Sequence, residues 1–211
     1  MARTRVKICG ITREADLDAA VMAGADALGF VFYPKSPRYL EIDRAAELVR
    51  RVPPFVSRVG LFVDPTPAML AETLAAVPLD LVQFQGDEPP AFCEKSGRPY
   101  LKVARMKAGL DLIEFAAAYP SSRGLLLDAY VEGYGGAGKV FDWSLVPRGL
   151  PVPLVVAGGL TADNVGDAIR QLRPWGVDVS SGVESAKGIK DAAKIAAFMA
   201  AVKRADAEER L

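Results

Sequence analysis

Val6-Lys7-Ile8-Cys9-Gly10-Ile11-Thr12 is a short apolar run that ends at once in a turn. An open doubly wound sheet carries a G-x-G-x-x-G fingerprint at this first turn, where the backbone approaches a pyrophosphate. Cys9-Gly10-Ile11-Thr12 has no such fingerprint. Seven more apolar runs follow, over residues 27–32, 57–62, 81–84, 100–104, 124–128, 154–157 and 176–180. They are apolar on both faces and helical patterns separate them, which implies a parallel sheet covered by helices. Eight such units in 211 residues predict an α/β fold, a single (β/α)8 barrel over residues 1–211, near the lower size limit of about 200 residues.

The intervening stretches space their apolar residues at i, i+3, i+4 and i+7. Ala45, Leu48, Val49 and Val52 form one stripe, and Leu70, Thr73, Leu74 and Val77 a second. Val165, Ala168, Ile169 and Leu172 form a third, and Ile195, Phe198, Met199 and Val202 a fourth. Thr66 before Pro67 reads as a cap and a first-turn proline, and Thr161 and Asp191 as caps of later helices. Gly24, after Leu17, Ala20 and Val21, reads as a helix-ending glycine. Only the connections at residues 33–42 and 129–143 are long, and no composition break marks a domain boundary.

Composition narrows the chemistry. With 26 Lys+Arg against 26 Asp+Glu the formal charge is zero, so the basic surplus of a nucleic-acid-binding domain is missing. A local basic patch around an anionic small molecule remains open. No run reaches the ~18 apolar residues of a membrane span, and Arg3, Arg5 and Lys7 stand where a signal peptide needs a hydrophobic stretch. Two cysteines, 84 positions apart, suit a reducing cytoplasm rather than a disulfide framework or zinc knuckle. A cytoplasmic location is therefore expected, with neither membrane nor nucleic acid as partner. The chain has no histidine. That removes Ser-His and Cys-His nucleophile pairs, His-ligated metals and imidazole acid–base chemistry. A catalyst here must draw on carboxylates, thiol, lysine, tyrosine or backbone dipoles, and no metal or organic cofactor is expected.

Barrel chemistry belongs on inward-pointing residues at the C-terminal strand ends. Alternation puts Lys7 and Cys9 on one face of the first strand, Leu126 and Asp128 on one face of the sixth, and Asp178 and Ser180 on one face of the eighth. Burying such polar groups costs several kcal/mol unless they are paired. Cys9 can be a small buried hydrophobe or, beside an ammonium, a thiol of lowered pKa. Cys93, next to Phe92 in a helical stretch, reads as core. Lys7 is either catalytic or charge-paired with Asp178 across strands one and eight. Gly158-Gly159 and Ser180-Ser181-Gly182, after the last two strands, stand where barrels build a phosphate site from backbone N–H groups. Residues 133–139, rich in glycine, read as a lid. Within Tyr33-Pro34-Lys35-Ser36-Pro37-Arg38, Arg38 is the candidate for clasping a carboxylate bidentately.

Together these segments resemble the phosphoribosylanthranilate isomerase family. The resemblance is carried by Lys7-Ile8-Cys9-Gly10-Ile11-Thr12, Ser36-Pro37-Arg38, Val82-Gln83-Phe84-Gln85-Gly86-Asp87-Glu88, Leu126-Leu127-Asp128, Phe141-Asp142-Trp143, Ala157-Gly158-Gly159-Leu160 and Gly176-Val177-Asp178-Val179-Ser180-Ser181-Gly182-Val183-Glu184. It implies a (β/α)8 barrel, monomeric or homodimeric, that performs an Amadori rearrangement of N-(5-phosphoribosyl)anthranilate. By the same resemblance Cys9 is the general base, Asp128 the general acid and Arg38 the holder of the anthranilate carboxylate. Gly159, Ser181 and Gly182 fall in phosphate-binding segments, and Asp178 in the eighth-strand active-site motif. The chemistry asks for a raised Asp128 pKa, from desolvation, and a lowered Cys9 pKa, from Lys7 and helix termini. The chain departs from the family pattern at Gln85, where His is common, and at Ala129 and Ala137. The rivals are the histidine-pathway aminoaldose isomerase and a non-catalytic phosphosugar-binding barrel.

Overall fold

The computed structural model describes residues 3–107, 109–129 and 141–208. Its parallel strands are β1 (Arg5–Cys9), β2 (Ala27–Val31), β3 (Ser57–Phe62), β4 (Leu81–Phe84), β5 (Tyr100–Met106), β6 (Leu125–Ala129), β7 (Leu154–Val156) and β8 (Gly176–Val179). β1 pairs with β2 on one side and β8 on the other, so the sheet closes into a barrel. Closure rules out the open doubly wound alternative. The helices are α1 (Glu14–Ala23), α2 (Ile42–Arg50), α3 (Pro67–Ala76), α4 (Pro90–Glu94), α5 (Leu112–Ala118), α6 (Val165–Leu172) and α7 (Ala192–Glu208).

Strand alternation sorts the side chains as the sequence predicts. Val6, Ile8, Leu28, Phe30, Val82 and Phe84 are buried against the helices in the main core, where Phe32 stacks on Phe62 at 5.1 Å. Val103, Leu126 and Ala157 form a separate small cluster within the barrel. Above it the inward positions turn polar.

The helix signals act largely as expected. The Thr66 hydroxyl accepts from the Met69 N–H at 3.2 Å with Pro67 in the first turn, and Gly24 ends α1 at φ 92°. Asp191 accepts from the Lys194 N–H at 3.0 Å, at the start of α7. Thr161 sits a turn too early: Asn164 holds the N-cap position of α6, and its side-chain oxygen accepts from the Thr161 N–H.

Two segments depart from a regular β/α repeat. Among the described residues, β6 and β7 are joined by a 3-10 turn, Trp143–Leu145, rather than an α-helix. Pro147, Pro151 and Pro153 remove backbone donors and exclude a helix there. After β8 a second 3-10 turn, Ser181–Val183, leads into an antiparallel pair, β9 (Glu184–Ala186) and β10 (Ile189–Lys190), which the sequence did not announce. This hairpin brings Glu184 and Lys190 to the barrel mouth. The glycine-rich stretch at 133–139, expected as a lid, lies outside the described residues, as does Ala137.

Candidate active site

The C-terminal mouth of the barrel holds a cavity lined by Cys9, Arg38, Gln83, Gln85, Asp128 and Asp178, with Gly158, Gly159, Ser180, Ser181 and Gly182 on one wall. Every expected site residue except Lys7 thus lines one space, and Lys7 lies just beneath it. β1 and β8 run in register with Lys7 opposite Asp178. The Lys7 ammonium donates to both Asp178 oxygens, at 2.9 and 3.0 Å. This is the cross-strand pair foreseen as one of two roles for Lys7. Burial alone would depress the ammonium's pKa, but Asp178 and Cys9 together hold it above its ordinary value.

Cys9 ends β1 with its side chain 5% exposed, facing the cavity rather than the helices. Its thiol corrects one expectation. Burial pushes it above the ordinary thiol range, and the Lys7 ammonium, though it pulls downward, does not prevail. Asp178 neutralises that ammonium and itself works upward on the thiol. A nearby cation leaves a thiol below its ordinary value only where its pull outweighs the cost of burying the thiolate.

Asp128 stands on β6 among Leu126, Ala157 and Gly158. Desolvation lifts its carboxyl to about 6, with Asp178 adding repulsion, while a hydrogen bond from Gln85 and the charge of Lys7 work the other way. This is the expected direction. Gly158 has φ 79°, and a Cβ there would press against the Ala129 backbone and Asp128 Oδ1. The glycine lets the β7 loop pass close over the acid.

Arg38 follows Ser36 and Pro37, and the Ser36 hydroxyl accepts its backbone N–H at 3.1 Å. Its stem crosses Gly10, at φ 80°, where a Cβ would collide with Arg38 Cδ. The guanidinium does clasp a carboxylate bidentately, but that carboxylate is the chain's own Glu184. Nε and Nη2 donate to its two oxygens at 2.7 and 2.8 Å. Lys190 Nζ donates to the same Glu184 at 2.8 Å. Burial would raise the Glu184 pKa, but these two cations hold it below its usual value. The bonds from Arg38 use Nε and Nη2, and Arg38 is among the residues that line the cavity. The Ser180 hydroxyl donates to the Cys9 carbonyl at 3.0 Å, tying the β8 loop to the end of β1.

The sequence reading passed over Glu184, Lys190, Gln83 and the role of Gln85. Gln83 and Gln85 carried a usable signal. They alternate with Val82 and Phe84 in an apolar strand, the same pattern that singled out Lys7 and Cys9. Glu184 and Lys190 gave none, because their hairpin has no periodicity long enough to read. Cys93, expected in the core, is buried there. Among the described residues no helix is long and apolar enough to cross a membrane.

Comparison with known proteins bears on the same geometry. Residues 6–201 match a family model described as N-(5'phosphoribosyl)anthranilate (PRA) isomerase. A relative from Dechloromonas aromatica named N-(5'-phosphoribosyl)anthranilate isomerase is 63% identical over 204 residues, 97% of this chain and 98% of its own. The crystal structure of phosphoribosyl anthranilate isomerase from Thermotoga maritima matches with a TM-score of 0.87 at 43% identity, over 95% of this chain and 99% of that one. A further crystal structure of a phosphoribosyl anthranilate isomerase, in complex with reduced 1-(o-carboxyphenylamino)-1-deoxyribulose 5-phosphate, matches with a TM-score of 0.83 at 40% identity, over 95% of this chain and 99% of that one. The chain belongs to the phosphoribosylanthranilate isomerase family, and it is an isomerase.

Proposed function

We propose that this isomerase converts N-(5'-phosphoribosyl)anthranilate to 1-(2-carboxyphenylamino)-1-deoxyribulose 5-phosphate in tryptophan biosynthesis, with residues 1–211 as one catalytic domain. Cys9 is the general base and Asp128 the general acid. One observation carries the assignment: a thiol and a carboxyl of raised pKa, on inward strand ends, line a single cavity. Arg38, which lines the cavity, receives the anthranilate carboxylate at one end. Gly158, Gly159, Ser180, Ser181 and Gly182 receive the phosphate at the other, with Lys7 and Asp178 holding the floor between them.

Asp128 donates its proton to the ribose ring oxygen, the C1–O bond breaks, and the nitrogen lone pair closes a C1=N iminium. That electron sink acidifies C2. Cys9 thiolate removes the C2 proton, and the electrons return to nitrogen as an enolamine. The enolamine takes a proton at C1 and releases one from the C2 hydroxyl, giving the ketone. Across these steps the enzyme's proton moves from carboxyl to sulfur, and exchange through solvent resets it.

The two pKa directions give this cycle its cost. At pH 7 a carboxyl with a value of about 6 keeps roughly a tenth of its population protonated. The buried thiol keeps most of its own. The reactive arrangement, thiolate beside acid, is therefore the minor placement of one shared proton.

The experiment is direct. Purified protein mixed with freshly made phosphoribosylanthranilate should extinguish the substrate's fluorescence catalytically. Stoichiometric binding without turnover would make the protein a phosphosugar-binding barrel instead.

A further inference from the structure

Outside the acid–base pair, the barrel mouth contains a hydrogen-bond chain made entirely of neutral amides. Gln83 Nε2 donates to Gln85 Oε1 at 2.8 Å, and Gln85 Nε2 donates to Asp128 Oδ2 at 2.8 Å. Gln83 is 1% and Gln85 7% exposed, so neither is a solvated surface amide. A carboxamide has its donors at one end and its acceptor at the other. Oε1 of Gln85 accepts from Gln83, and this orientation turns its NH2 toward Asp128. The chain ends in Gln83 Oε1, a buried acceptor with no donor among the described residues. An unpaired buried acceptor is destabilising, whereas two apolar side chains of the same shape would leave no polar atom unpaired. Stability alone does not explain two glutamines here.

We propose that Gln85, oriented by Gln83, is a positioning residue for Asp128: it fixes Oδ2 and leaves Oδ1, the oxygen beside Gly158, to carry and deliver the proton. The proposal rests on Asp128 being the acid. A neutral donor suits that task. It holds the carboxyl in one rotamer, as either acid or carboxylate partner, without adding a positive charge that would drive off the proton. The other groups facing this carboxyl are Lys7 on β1, Asp178 on β8, the Ala129 N–H, and Cys9 across the cavity, with Arg105 opposite it in the β5 register and paired to Asp87.

The test uses Gln85→Met, Gln83→Met and the double variant, with Asp128→Asn as control, each checked for folding by thermal melt. Three readouts are taken: the Asp128 carboxyl titration by 13C NMR, KM, and kcat/KM at pH 5, where Asp128 is largely protonated in every variant that keeps it. Gln85→Met removes a donor that favours the carboxylate, so the titration midpoint should rise by about one pH unit. At pH 5 kcat/KM should fall about tenfold, the scale of one hydrogen bond to the carboxylate that forms as the proton is delivered, with KM unchanged. Gln83→Met should move both readouts the same way but less, and the double variant no further than Gln85→Met alone. If Gln85→Met fails to fold, Gln83→Met carries the same test. An unmoved titration, a raised KM with unchanged kcat, or additive effects of the two substitutions would overturn the proposal. Near-normal turnover in Asp128→Asn would instead remove Asp128 as the acid, a distinct failure.

Discussion

Among the described residues, two of the buried lysine–carboxylate pairs place their lysine on a barrel strand, and they do opposite things. Lys102 points outward from β5, beneath the helices, and donates to Glu88 Oε2 and the Gly86 carbonyl, both at 2.7 Å. Its ammonium lies 5.4 Å from the centre of the Tyr119 ring. Glu88 Oε1 accepts backbone N–H groups from Asp64 and Gly86, and its carbonyl accepts the Tyr119 hydroxyl. Every polar group in this cluster is spoken for. Lys7 points inward from β1, and its pair with Asp178 opens onto the cavity beside Cys9 and Asp128. The first pair is saturated and fixes the chain's path from β4 to β5. The second leaves a thiol and a carboxyl beside it that burial has shifted, and that residue of unbalanced chemistry is what a catalyst uses.

The contrast can be broken at several points. The largest expected effect is on turnover, at the reactive side of the mouth. Cys9→Ser or Asp128→Asn should lower kcat by about 10²-fold or more, the range of acid–base groups, while the melting temperature stays close to the parent's. Next is the saturated pair. Lys102→Met strands the Glu88 carboxylate, and breaking a buried pair in this way costs about 3–5 kcal/mol. Urea unfolding should register that loss, and the protein that remains folded should turn over normally. A kinetic defect in folded Lys102→Met would mean that the two pairs are not separate in role.

Smaller effects follow at the edges of the mouth. Arg38→Ala should raise KM by roughly tenfold or more, since hydrogen bonds to a charged group contribute about 1.5–3 kcal/mol. An unchanged KM would return Arg38 to holding Glu184 alone. Lys7→Met removes the first of the influences that pull the Cys9 thiol down. The pH midpoint for alkylation of Cys9 should therefore rise further above the ordinary value of about 8.5. An unmoved or lowered midpoint would show that the Lys7 ammonium does not hold the thiol down.

Much of this was legible in the sequence because it depends on period and position. Eight apolar runs with helical spacing between them specify a parallel barrel, and strand alternation alone puts Cys9, Asp128 and Asp178 inside it. Arg38 was legible as a carboxylate clasp but not in its partner. Glu184 reaches it from a hairpin 146 positions away in sequence, and no local pattern encodes such a meeting. The thiol's direction was misjudged for a related reason. Lys7 stands two residues from Cys9 in sequence, whereas the carboxylate that neutralises it comes from the far end of the chain and the burial from several strands at once. Gln83 and Gln85 were visible as polar residues on an inward strand face, yet what they donate to only closure of the barrel reveals.

The central physical claim is that burial in the mouth keeps the residue-128 carboxyl protonated high enough to act as an acid. Titrating the intact protein by 13C NMR of labelled aspartates, with Asp128→Asn to assign the resonance, measures this without relying on turnover. The account predicts a midpoint of about 6. A midpoint near the ordinary aspartate value of about 3.9 would contradict it.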